Sequence, residues 1–181
     1  MTTQKAETDT KMVAPEGKER SETVNLPLLL EKVRFLVVAT VDDRGQPDAT
    51  PKLFLKYEPP FIYLVDYSFA TTNKNLKTNP KASLSFMDIE NLDGYRLNGS
   101  IELISEGEEF YQIAKEVEKK ILQLSATRVI EAVKTGKKYN RYEIEILDKY
   151  VLMKFKVEEI MLIGARSKSY RENVKGEIDC G

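Results

Sequence analysis

Histidine and tryptophan are absent from the 181 residues, and cysteine occurs once, at Cys180. Without an imidazole, Cys/His zinc sites and Ser-His-Asp triads are excluded, along with the usual general base. A lone cysteine cannot close an internal disulfide, which fits a reducing compartment. An excess of charge of either sign is also missing. With 28 basic residues against 29 acidic ones, no overall field draws the chain to nucleic acid or to an anionic membrane. No apolar run approaches the length of a membrane span. No apolar stretch follows Met1 as a secretory signal would require, so the expected location is cytoplasmic. Carboxylate-only metal sites stay open, but no spaced acidic cluster suggests one, and no metal is expected.

The length suits one domain with a full core and is short for two. Positions 1–22 are polar with scattered apolar residues, the composition of a disordered or loosely docked tail. The folded domain is expected over 23–166, with a helical insertion at 106–136, and a second polar tail over 167–181. Arg166, Lys168 and Arg171 in that tail read as a solvated end, or alternatively as groups reaching a ligand or partner subunit.

The stretch that organises the chain runs from Phe61 to Phe86. Phe61-Ile62-Tyr63-Leu64-Val65 is rich in residues that suit a pleated, buried surface. Ala82-Ser83-Leu84-Ser85-Phe86 alternates at the strand period. Between them a polar segment, Tyr67 to Lys77, reads as a loop entering one or two helical turns. Asn79-Pro80 stops the helix, because a residue before proline is pushed out of the α region. Hydroxyl residues delivered to a helix start have two readings. Ser68, Thr71 and Thr72 can be plain N-caps. They can equally form, with the free N–H groups and with Lys74 and Lys77, a cradle for a phosphate.

Leu26 to Val33 reads as a short amphipathic helix, capped by Asn25 with Pro27 in its first turn. Phe35 to Val41 is a buried strand, Asp42 to Gly45 carries turn chemistry, and Asp48 to Tyr57 is the return strand. Tyr95 to Ile104 is a strand interrupted by Gly99, where a bulge or a close approach is expected. Ser105 and Glu108 have the spacing of a capping box. Phe110, Ile113, Ala114, Val117, Ile121 and Leu124 then give one apolar helical stripe. A separate helical piece is expected from Thr127 to Thr135. Tyr142 to Leu147 reads as an extra strand, and Tyr150 to Val157 and Ile160 to Gly164 as the closing strand or strands. Mostly tight turns between strands make the fold mainly β, an antiparallel barrel or sandwich with flanking helices.

The segments FLVVATVDDRGQPDATPK, FIYLVDYSFATTNKNLKTNPKASLSF and GYRLNGSIELISEGEEFYQIA, in that order, resemble the FMN-binding split barrels. That family includes pyridoxamine 5'-phosphate oxidase-like proteins, small FMN-binding proteins and flavoredoxins. Asn75-Leu76-Lys77-Thr78-Asn79-Pro80 matches its Asn-Leu-x-x-Asn-Pro signature, and Leu97-Asn98-Gly99 its Leu-x-Gly element. The resemblance implies a six-stranded antiparallel split β-barrel that forms a homodimer with FMN at the subunit interface. It places the flavin phosphate at Ser68, Thr71, Thr72, Lys74 and Asn75. The ring would lie along Thr50, Pro51 and Lys52, and against Val65 and Asp66. Many members carry a lysine where this chain has Thr71 and Thr72. The histidine-containing C-terminal motif of true pyridoxamine phosphate oxidases is also missing. The implied activity is hydride or electron transfer through bound flavin, with a nicotinamide or protein electron donor and no assigned catalytic residue. Lys52 is the expected charge beside the ring, where it would raise the flavin potential; the other reading of it is a lysine on an exposed strand face. The alternatives are a non-catalytic electron-transfer protein, or a split barrel holding deazaflavin, haem or no cofactor.

Overall fold

Asp42 ends the first strand and builds the turn that follows it. Its Oδ1 accepts the backbone N–H groups of Arg44 at 2.9 Å and Gln46 at 2.8 Å, and Gly45 takes a φ of +81°. That turn joins β1 (Phe35–Val41) to β2 (Pro47–Glu58) in the register Val38↔Thr50. The computed structural model describes residues 25–67, 70–136, 150–163 and 169–173. The expected N-terminal tail, Ser68, the proposed strand at Tyr142 to Leu147, and Gly164, Arg166 and Lys168 lie outside them.

The remaining elements are α1 (Leu26–Glu31), β3 (Phe61–Tyr67), α2 (Thr71–Thr78), β4 (Lys81–Asp88), β5 (Asp93–Ile104), α3 (Glu108–Thr135), β6 (Tyr150–Ile163) and β7 (Ser169–Asn173). The sheet order is β3-β2-β1-β4-β5-β6-β7, and pairing of β3 with β6 closes the first six strands into an antiparallel barrel. β6 serves two neighbours on one edge. Tyr150 to Lys156 pair with β3, whereas Glu159 to Ile163 pair with β7. The barrel therefore splits beyond the Phe61↔Lys156 pair, where β3 begins and β6 continues past it.

Inside the barrel, Leu36, Val38, Ile62, Leu64, Leu84, Leu97, Met153 and Phe155 form the main core, joined by Leu26 and Leu30 of α1 and Leu76 of α2. A second cluster lies under α3, where Ile113 and Val117 pack on Tyr63, Val65, Ile104 and Leu152. Asn75 and Leu76 thus tie the short helix to the barrel, and the expected cap of α1 is present, with Asn25 Oδ1 accepting from the Leu28 N–H.

Gly99 is the close approach its position suggested. A Cβ there would stand 2.0 Å from the Lys156 carbonyl oxygen, and the β5–β6 register shifts between Asn98 and Gly99. Three expectations change. The capping box does not form: α3 begins after Gly107, at φ +94°, with no side-chain cap. Glu109 turns instead to Lys154 and Tyr63, both within 2.9 Å of its Oε1. The two expected helical pieces are one 28-residue helix, since no glycine or proline interrupts 108–135. The closing segments, expected as one strand or two, are the single β6. Lastly, the segment 169–173, expected within a polar tail, is β7 and pairs with β6. Among the described residues no helix is long and apolar enough to cross a membrane.

Candidate functional site

Strand alternation on β2 turns Asp48, Thr50 and Lys52 to the barrel side, opposite Thr40, Val38 and Leu36 of β1. α2 lies against this row. Thr72, its second residue, is 1 % exposed, and its hydroxyl donates to Asp48 Oδ2 at 3.0 Å while sharing a 2.9 Å bond with the Thr50 hydroxyl. Asn75 donates from Nδ2 to Thr40 Oγ1 at 3.1 Å. Lys52 reaches across to β3 and pairs with Asp66 at 2.7 Å. These contacts form a polar layer between the short helix and the apolar core. Such a layer is tolerated because nearly every buried polar group in it is paired. One atom is not: Asp66 Oδ2 is buried without a hydrogen-bond partner.

The residues expected to bind a cofactor therefore fall into two sets. Thr50, Lys52, Asp66, Thr72 and Asn75 meet in the polar layer, with Val65 in the cluster under α3. Pro51, Thr71 and Lys74 are exposed. Lys77 is exposed on α2 as well. The capping reading of the threonines does not hold, since the N-cap of α2 is Ala70 and no side chain caps the helix. Among the described residues, no side chain accepts from its first N–H groups.

Thr71, Lys74 and Asn75 line a cleft of about 570 Å³ between α2 and the β1–β2 turn. The turn contributes Asp42, Asp43 and Arg44 to the same cleft, and β2 contributes Asp48. Arg44 bonds Asp42 Oδ2 through Nε and Nη2 at 3.3 and 3.2 Å. The Gln46 backbone N–H, with those of Arg44 behind it, holds the Asp42 carboxyl below its usual range. The donor set, an uncapped helix start with a free threonine hydroxyl, an ammonium and a guanidinium, suits a phosphate. The carboxylates oppose one. No group of three or more metal-ligating side chains is found among the described residues.

Thr40, Arg44 and Asp48 are members of this site that sequence reasoning missed. Asp48 carried a signal, sharing the two-residue period of Thr50 and Lys52. Arg44 was legible only as turn chemistry, because its position across from α2 depends on a contact distant in sequence.

Residues 26–164 match the family model of pyridoxamine 5'-phosphate oxidase. No curated protein matches the chain. Among solved structures it is similar to a Clostridium acetobutylicum protein related to general stress protein 26 of Bacillus subtilis, of the pyridoxinephosphate oxidase family. The TM-score is 0.56 at 19% identity, over 81% of this chain and 90% of that one. A pyridoxamine 5'-phosphate oxidase-related, FMN-binding protein from Nostoc punctiforme gives 0.51 at 15% identity, over 79% and 88%. A heme-binding protein from Mycobacterium smegmatis gives 0.51 at 19% identity, over 80% and 55%. At these identities the likeness is one of fold.

Proposed function

Because the chain belongs to the pyridoxamine 5'-phosphate oxidase family, we propose that it binds FMN and passes hydride or electrons through it. The observation that carries this reading is the uncapped start of α2 opening onto a cleft with Thr71, Lys74 and Arg44. The backbone N–H groups and the Thr71 hydroxyl would hold the phosphate, and Lys74 would offset part of its charge, Arg44 being already bonded to Asp42. Bound FMN would supply the redox chemistry. The protein's part is to bind and orient it and to set its surroundings. Lys52, already paired with Asp66, would act with that carboxylate as one nearly neutral unit.

A homodimer is part of the same proposal. The outer face of β2, β1, β4, β5 and β6 is partly apolar. In register across it lie Pro51, Val37 and Ser85, and beside them Phe35, Met87 and Ile163, all exposed or nearly so. Exposed apolar groups gathered on one sheet face mark an association surface. Pro51 lies on that face and belongs to the strand proposed to contact the ring, so a second copy there would cover the flavin. The electron donor would be a nicotinamide or a protein.

Mass spectrometry of the ligand released on denaturing the purified protein tests the reading. FMN is the expected product. Release of haem or a deazaflavin would replace the flavin assignment. The chain has no histidine, the axial ligand of many haem proteins, which weighs against haem.

A further inference from the structure

The carboxylate bonded to the first turn of α2 comes from β2. Asp48 Oδ2 accepts the Thr72 hydroxyl at 3.0 Å, and Thr72 is the second residue of a helix with no side-chain cap. Asp48 also lines the cleft that holds Thr71 and Lys74. Of the other charges lining it, Asp42 and Arg44 are bonded to each other. Lys74 then stands against two carboxylates, Asp43 and Asp48. A dianion reaching the helix start gains from the N–H groups and Lys74, and is opposed by the Asp48 carboxylate, which repels it and is fixed beside the first turn of α2 by the buried Thr72 hydroxyl.

We propose that Asp48 sets how tightly this cleft grips a phosphomonoester, keeping the grip weak enough for the phosphorylated ligand to exchange with solution. The inference rests on the reading above for where the phosphate sits. It does not depend on what the phosphate is attached to.

The test uses the full chain and three proteins: wild type, Asp48→Asn and Asp48→Ser. Asparagine keeps an oxygen that can accept from Thr72 and removes only the charge. The serine variant covers the case in which the first fails to fold. Backbone amide NMR follows Thr71, Thr72 and Asn73 during titration with inorganic phosphate, and flavin fluorescence follows FMN and riboflavin. Each variant is expected to bind phosphate about tenfold more tightly than wild type, the effect of one charge on a dianion across a solvated cleft. FMN should tighten alongside it, with riboflavin unchanged. Phosphate affinity equal to or below wild type in the folded variants overturns the proposal. So does the absence of any phosphate response at these amides in all three proteins. Tighter phosphate with no flavin bound by any of the proteins upholds the role of Asp48 and removes the flavin reading instead.

Discussion

The Lys52 ammonium lies 2.7 Å from Asp66 Oδ1, with both side chains at most 6 % exposed. The pair bridges adjacent strands just beyond the Leu53↔Val65 pairing. Breaking it from one side leaves an uncompensated buried charge. Lys52→Ala is expected to cost about 3–5 kcal/mol of stability, because neither Asp66 oxygen would then have a partner. Joint replacement, Lys52→Met with Asp66→Leu, should recover most of that loss. Urea denaturation of the three proteins checks it. A single variant as stable as wild type would mean that the pair is not buried as described.

Outward from the same strand, Val37 faces Pro51 on the sheet surface and is 38 % exposed. A charge placed there would be buried in the proposed dimer and solvated in a monomer. Val37→Glu should therefore convert a dimer to a monomer with an unchanged circular dichroism spectrum. Light scattering after gel filtration reads the result. A wild-type monomer, or a variant that stays dimeric, would move the interface elsewhere.

Glu109 couples α3 to the barrel and makes that coupling pH-dependent. The bond from Lys154, followed by that from Tyr63, holds its carboxyl below the usual value. The folded state therefore binds this proton less readily than the unfolded one. Its contribution is present above the unfolded carboxylate pKa and fades as pH falls through the lowered one. Lys154 is shifted up, chiefly by its bond to Glu109. Its contribution lasts until pH rises through that raised value, beyond the ordinary lysine range. Melting temperatures between pH 6 and pH 3 should fall less steeply for Glu109→Gln than for wild type. Parallel slopes would remove Glu109 from the acid response.

Much of this architecture was written locally. Asp42 and Gly45 specified a turn, Asn25 and Pro27 a helix start, and Gly99 a strand position that only a residue without a Cβ can fill. Thr71 and Lys74 could be placed at a helix start from their neighbours alone. What stayed hidden was decided by contacts far apart in the chain. Ser105 and Glu108 had the spacing of a cap, yet the next acid, Glu109, was claimed by Lys154 on β6. Segment 169–173 looked like solvated tail because its pairing partner β6 stands at the open side of the split. Lys52 read equally as an exposed lysine or a charge beside a ring, and its partner sits on another strand. Asp48 belonged to the site only once α2 was folded back onto β2.

The central claim is that the start of α2 reads a flavin's phosphate. A fluorescence titration comparing FMN with riboflavin, in wild type and in Lys74→Gln, tests it most directly. The account predicts that wild type prefers FMN by about tenfold, roughly 1.4 kcal/mol, and that Lys74→Gln narrows the preference while riboflavin binding stays the same. Equal affinity for the two flavins, or no binding of FMN at all, would contradict it.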